Sequence, residues 1–284
     1  MPPSQRLAVV RATAVQFLLR VGTQGRKRRM VELLTLLCVG LVVGLAGGIL
    51  GVGGGFLLVP ILFSWLGWPM LAAVATSHFC GLAVSASATG NYSAAGLIDW
   101  RLGIILEVVA VAGAAFGALS ARWAPVDAIA IGFAAVAVFS AYKMWNPRAA
   151  AEDGAHTAGA QPTTKQYAFA LPSMFLVGAV SGILGLGGGV FIVPILTELM
   201  HLPVRRAVGT SVFMVGMNAA SAGIVYYLHG DVPSEPAALL AGGVFAGAML
   251  GSAIQHRLPA LLLRRVFAII LIVLSARLLM RAFG

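Results

Sequence analysis

Charge is scarce in this chain: of 284 residues only 10% are charged and 60% are apolar, with a mean hydropathy of +0.94. A soluble domain carries about 25% charged residues because a water-facing surface needs them. A chain this poor in charge cannot cover a globule of its size, so most of its surface must face lipid. Acids are scarcer still, nine against 19 Lys and Arg. A sodium or metal-cation pathway would show a carboxylate cluster, and the sequence has none. Cysteine occurs twice, at Cys38 and Cys80, both inside apolar runs. These read as buried small hydrophobes, not as a structural disulfide. No CxxC or HExxH pattern is present, so neither a metal site nor a cofactor is expected.

What the chain has instead is apolar runs of membrane-spanning length, which need roughly 17–25 residues each. The run from Val31 to Trp65 is too long for one crossing and is interrupted by Gly47-Gly48 and Gly51 to Gly55. It divides into segments at 31–48 and 56–66, and further segments follow at 71–95, 102–121 and 126–145. A polar stretch, Asn146 to Gln166, separates these from segments at 167–183, 190–200, 205–228, 236–255 and 260–280. The domain plan is therefore an N-terminal arm (1–30), a first membrane repeat (31–146), a polar linker (147–166) and a second membrane repeat (167–284). The arm carries Arg6, Arg11, Arg20, Arg26, Lys27, Arg28 and Arg29 and no acid. A cleaved targeting peptide is one reading of it, but no A-x-A-like site ends the apolar stretch that follows. A cytoplasmic arm against the anionic inner leaflet is the other. The net charge of +10 then reflects topology in the cell membrane, and no nucleic-acid partner is expected.

The second half repeats the first. Residues 44–62 align with 178–196 at an offset of 134, with twelve of 19 positions identical. The same offset carries Pro69 onto Pro203, Thr76-Ser77 onto Thr210-Ser211, Gly113 onto Gly247, Gly117 onto Gly251 and Lys143 onto Arg277. Such ungapped agreement is a duplication. Five segments per copy is an odd number, which would insert the copies with opposite sense, a common transporter architecture. The charges support this only in part, because Arg205-Arg206 and Arg264-Arg265 would then lie outside, against the positive-inside tendency. If each glycine-interrupted pair makes a single crossing, the copies are parallel instead. The predicted fold class is an all-α polytopic membrane protein of two five-segment repeats with Gly-broken helices and about 8–10 membrane segments.

Two runs, Gly51-Val-Gly-Gly-Gly55 and Gly185-Leu-Gly-Gly-Gly189, interrupt the repeats at matching places. Close helix packing accounts for glycines at four-residue spacing, such as Gly40, Gly44 and Gly48 or Gly243, Gly247 and Gly251. It accounts poorly for consecutive glycines, each of which weakens a helix by about 1 kcal/mol relative to Ala. The functional reading is an unwound hinge, tolerated at membrane depth only where protein, water or ligand satisfies the backbone. A helix restarting after each break would turn its positive end toward it, which suits an anion. Gly53, Gly54, Gly55, Gly187, Gly188 and Gly189 are the candidate binding residues. A nucleotide P-loop is rejected because Phe56-Leu57 and Val190-Phe191, not Lys-Ser/Thr, follow the glycines.

Polar side chains inside apolar segments are the remaining candidates. Interhelical hydrogen bonding suffices for any single Ser or Thr. The pairs Thr76-Ser77 and Thr210-Ser211 recur just after both short segments, where they could assist the breaks in holding a solute. Asn91 and Asn218 do not align with one another and rest on separate arguments. Glu107, two turns into its segment, is the best carboxylate for proton coupling, an ion pair being the alternative. His78, close to a segment start, is a second candidate or an interfacial residue. Glu198 and Lys143 lie near segment ends and are expected to snorkel.

The paired motif G-x-x-x-G-x-x-G-x-G-G-G-x-x-x-V-P, with Thr-Ser some 16 residues after each proline, resembles the sulfite exporter TauE/SafE family. The match extends to the Gly96-Leu-Ile-Asp99 and Gly230-Asp231 junctions and spans roughly residues 31–282, with the arm outside. The resemblance implies a plasma-membrane transporter exporting sulfite, sulfonates or related small organic anions. A membrane-embedded enzyme would need a nucleophile–base pair or a metal cluster at one depth. A receptor or assembly protein would not explain two matched breaks. The expected partners are a small anionic solute and the lipid bilayer; the small-residue stripes leave a homo-oligomer open.

Overall fold

The computed structural model describes residues 26–50, 54–145, 163–254 and 260–283. Its first five helices are α1 (Arg26–Leu50), α2 (Gly55–Pro60, continuing as a π-helix Ile61–Trp65), α3 (Met70–Ala94), α4 (Trp100–Ser120) and α5 (Val126–Trp145). The second five are α6 (Thr164–Leu184), α7 (Gly189–Pro194, continuing as a π-helix Ile195–Leu199), α8 (Val204–Leu228), α9 (Ser234–Ile254) and α10 (Ala260–Phe283). Helices are what a chain in lipid can form, because each satisfies its backbone groups within itself. Six of them (α1, α3, α4, α6, α8 and α9) are long and apolar enough to cross a membrane. Gly53, a predicted site residue, lies outside the described residues, as do the basic arm before Arg26 and most of the linker.

The duplication reaches the level of single turns. α2 and α7, α3 and α8, α4 and α9, and α5 and α10 each begin 134 residues apart. Pro69 and Pro203, at φ −56° and −55°, sit at the N-caps of α3 and α8. Gly96 and Gly230, at φ +66° and +76°, follow the ends of the same helices. Pro60 and Pro194 close the α-helical parts of α2 and α7. Proline lacks an N–H and its ring crowds the preceding turn. The next turn widens to π geometry, with Leu66 N–H on the Ile61 carbonyl at 3.2 Å and Met200 N–H on that of Ile195 at 3.1 Å.

The copies interlock through small residues. α1 lies along α9 with the same chain direction: Gly40, Gly44 and Gly48 meet the backbone of Leu240, Val244 and Ala248, while Gly243, Gly247 and Gly251 meet that of Leu37, Leu41 and Leu45. α4 lies along α6 in the same manner, with Gly113 and Gly117 on Phe175 and Ala179, and Gly178 and Gly182 on Ala110 and Ala114. A Cβ at these glycines would strike a carbonyl, so the packing reading holds for them. The corresponding helices α3 and α8 cross with opposite chain directions: His78 lies by Gly223, Gly81 by Ala219, and the Ser85 hydroxyl donates to the Val212 carbonyl at 2.8 Å.

The exterior is apolar, with Val108, Phe116, Leu176, Leu228, Val273 and Met280 exposed, while Thr76, Ser77, His78, Glu107, Thr210, Ser211 and Asn218 are buried. Two expectations change. Cys38 is exposed on α1 and only Cys80 is buried, both as free thiols. His78 is 1% exposed and shielded by protein, because α3 starts eight residues before it and its ring is covered by Gly182 of α6 and Tyr226 of α8.

Candidate functional site

The two breaks meet. A Cβ on Gly55, at the start of α2, would strike the carbonyl of Gly185, the first residue after α6. From Gly185 to Gly188 the chain leaves helix geometry, with φ of +76° at Gly185, +70° at Gly187 and +83° at Gly188. This left-handed backbone is open to glycine at little cost and strained for other residues. Gly54 and Gly188 are the N-caps of α2 and α7, and neither helix start carries a side-chain cap. Gly54, Gly55, Leu186, Gly187, Gly188 and Gly189 are all buried.

Of the Thr-Ser steps, Ser77 reaches this junction. The Ser77 hydroxyl lies 2.8 Å from the Gly185 carbonyl and 2.7 Å from that of Val74, with one proton to donate. It therefore ties α3 to the second break. Its counterpart Ser211 has a buried hydroxyl without a hydrogen-bond partner among the described residues, as does Thr76. Under the offset, the position answering to Gly185 is Gly51, outside the described residues. Thr210 behaves differently: its hydroxyl oxygen accepts the Asp99 N–H at 2.9 Å and so joins α8 to the start of α4.

Further polar atoms surround the second break. A Cβ added to Gly188 would lie 3.6 Å from the Ser181 Cβ, and the Ser181 hydroxyl is buried without a partner among the described residues. A Cβ added to Gly187 would come within 2.8 Å of Val215, one turn before Asn218 on α8. Both amide atoms of Asn218 and both carboxyl oxygens of Glu107 are buried without a hydrogen-bond partner among the described residues. Among these residues no ion pair forms at Glu107. The Tyr226 hydroxyl donates to the Gly182 carbonyl at 2.8 Å, and the His78 Nε2 faces the same oxygen at 3.3 Å. The two rings stack at 5.8 Å. Asn91 stands apart, exposed and donating to the Ser252 hydroxyl at 2.8 Å, where it joins α3 to α9.

Several participants escaped the sequence reading. Ser181 and Gly182 were not singled out, and Gly185 was read in the glycine run but not as a binding residue, although the 134 offset pairs Tyr226 with Tyr92 and Gly185 with Gly51. Ion pairs join α4 to α8 at both ends: Asp99 with Arg206 at 3.7 Å and Arg122 with Asp231 at 3.2 Å. Residues 107 and 109 positions apart leave no local pattern that reveals such pairs. Among the described residues no group of three His, Cys, Asp or Glu is placed to hold a metal ion.

A family model described as "Sulfite exporter TauE/SafE" matches residues 7–144 and 36–278, the first stretch reaching into the basic arm. The chain is 25% identical over 262 residues to the "Probable membrane transporter protein YunE" of Bacillus subtilis, covering 86% of this chain and 96% of the relative. It is 30% identical over 253 residues to a "Probable membrane transporter protein" of Xylella fastidiosa, covering 86% and 93%. A relative from Methanocaldococcus jannaschii, "Probable membrane transporter protein MJ0441", is 28% identical over 202 residues, covering 68% and 71%. No solved structure matches.

Proposed function

We propose that this chain, which belongs to the sulfite exporter TauE/SafE family and is a multi-pass membrane transporter, moves a small sulfur-containing or carboxylated anion by alternating access about the paired glycine breaks. The carrying observation is the contact of Gly55 with Gly185. It sets the start of α2 against the end of α6, where the second break begins, and the Ser181 hydroxyl near Gly188 has no hydrogen-bond partner among the described residues. Helix starts favour negative charge, and hydroxyl and amide N–H groups are donors an oxyanion can accept from. The anion is thus held by dipoles, with no buried Lys or Arg, and such a site releases its solute more readily than an ion pair.

Alternating access needs two units that rock against each other around the site, for which inverted copies are suited. The opposite directions of the corresponding helices α3 and α8 support inversion. With the basic arm inside the cell membrane, Arg206 falls on the outer side, where Asp99 offsets its charge. An enzymatic reading fares worse. Glu107 and His78 are separated by about two helical turns, leaving no nucleophile–base pair.

The test is reconstitution into liposomes with sulfite, sulfoacetate and taurine as probes. Saturable flux of at least one is expected, and its loss is expected in Gly54→Leu and Gly188→Leu proteins that still insert and elute as folded particles. Gly188→Ala, which adds one methyl at a positive φ, should slow flux by about tenfold or more. Absence of flux for all three anions would overturn the substrate class. Undiminished flux in the glycine variants would make the breaks packing devices.

A further inference from the structure

The duplication is broken at one polar pair. Under the 134 offset Glu107 corresponds to Ala241 and Asn218 to Val84, so one half of the molecule holds a carboxyl and an amide where the other holds a methyl and an isopropyl group. Val84 fills its place by packing against Gly54. Glu107 is 3% exposed and Asn218 fully buried, and among the described residues none of their four side-chain polar atoms has a hydrogen-bond partner. The Asn218 backbone lies within electrostatic reach of the carboxyl. Its helix neighbours Leu106 and Ala110 share a buried cluster with Ile192 of α7 and with Met214 and Val215 of α8. Glu107 therefore stands within a turn of the side chains that pack the second break.

The charged groups on the elements around it lie far along their helices. On α4 these are the ion-paired Asp99, Arg101 at the start and Arg122 beyond the end. On α8 they are Arg205 and Arg206 at the start, with Asp231 past the end; on α6, Lys165 is at the start; and on α7, Glu198 lies in the closing π turn. The nearest other titratable groups, His78 and Tyr226, bond to Gly182, which packs on Ala114, about 10 Å farther along α4. No cation bonds to Glu107 among the described residues. Ionisable groups held like this at membrane depth mark proton paths.

We propose that Glu107 carries the proton that accompanies the solute, with Asn218 as the neutral polar partner that the solute or the acid hydrogen bonds to. The inference rests on the anion reading of the breaks. An ionised Glu107 beside a desolvated site would repel an anion and weaken its binding on the order of tenfold or more. The anion is admitted when the carboxyl is protonated, so proton and anion bind with positive coupling, and each strengthens the other. On the far side the Glu107 O–H bond breaks, the proton passes to water with the departing anion, and the carboxylate takes a new proton from the first side in the next cycle. Because Ala241 cannot repeat this, the ratio is one proton per cycle.

The test uses full-length protein in liposomes loaded with a pH-sensitive dye, with methanesulfonate and sulfoacetate as probes. In the wild type an imposed anion gradient should move protons in the same direction. In Glu107→Gln the anion should move without a pH change, and its flux should lose its dependence on external pH. Glu107→Asp should retain coupled movement. Anion flux without proton movement in the wild type, or proton movement surviving in Glu107→Gln, would overturn the proposal while leaving transport intact. If the wild type moves neither probe nor sulfite, the transport reading itself fails and takes this one with it. Should Glu107→Gln not fold, the wild-type proton measurement alone decides.

Discussion

Arg122 reaches from the end of α4 to Asp231, whose side chain is 1% exposed. Burial pushes the Asp231 carboxyl above its ordinary range, and the Arg122 guanidinium opposes the rise. Removing the arginine strands a buried carboxylate, whereas replacing the acid by Asn leaves a neutral side chain. Arg122→Ala should therefore cost about 1–3 kcal/mol in detergent unfolding, and Asp231→Asn less. A raised carboxyl in the folded state contributes stability below its unfolded value and loses it as pH rises. The Arg122→Ala penalty should thus shrink toward acid pH and grow toward neutral; a flat penalty across that window would contradict the assignment. At this scale the sequence was informative where chemistry repeats. The Thr-Ser steps and glycines announce themselves twice at one offset. Arg122 with Asp231, and Glu107 with Asn218, occur once and join residues over a hundred positions apart, so only the folded chain brings them together.

The helices can be read largely from composition, because a bilayer forces long apolar segments into helices and proline and glycine mark their ends. Hidden from that reading were the π turns after Pro60 and Pro194, since a widened turn follows from backbone crowding and not from hydropathy. The partners of each helix were hidden too, because an apolar stripe does not state which neighbour it faces. α1 and α9 meet backbone to backbone at Gly44 and Val244, so Gly44→Leu should force the pair apart and cost about 1–3 kcal/mol or more. Gly242, with no atom near an added Cβ, supplies the control. Gly242→Ala should leave stability unchanged or raise it by about 1 kcal/mol. Melting curves of the two variants beside the wild type check both, and equal losses would mean that the stripe is not a close contact.

For the whole molecule, the central claim is that two copies of one unit set their broken helices together to make a single solute site. Ser77 and Ser211 occupy equivalent positions in the copies, and Ser77 already holds the second break. In a background with Cys38 and Cys80 replaced, Ser211→Cys puts a thiol at the position equivalent to Ser77 with only a small increase in volume. The deciding measurement is the rate at which a membrane-impermeant thiol reagent labels this cysteine from each side of sealed vesicles, with and without sulfite or sulfoacetate. The account predicts labelling from both sides, slowed by the transported anion. Labelling from one side only, or at a rate no anion alters, would contradict it.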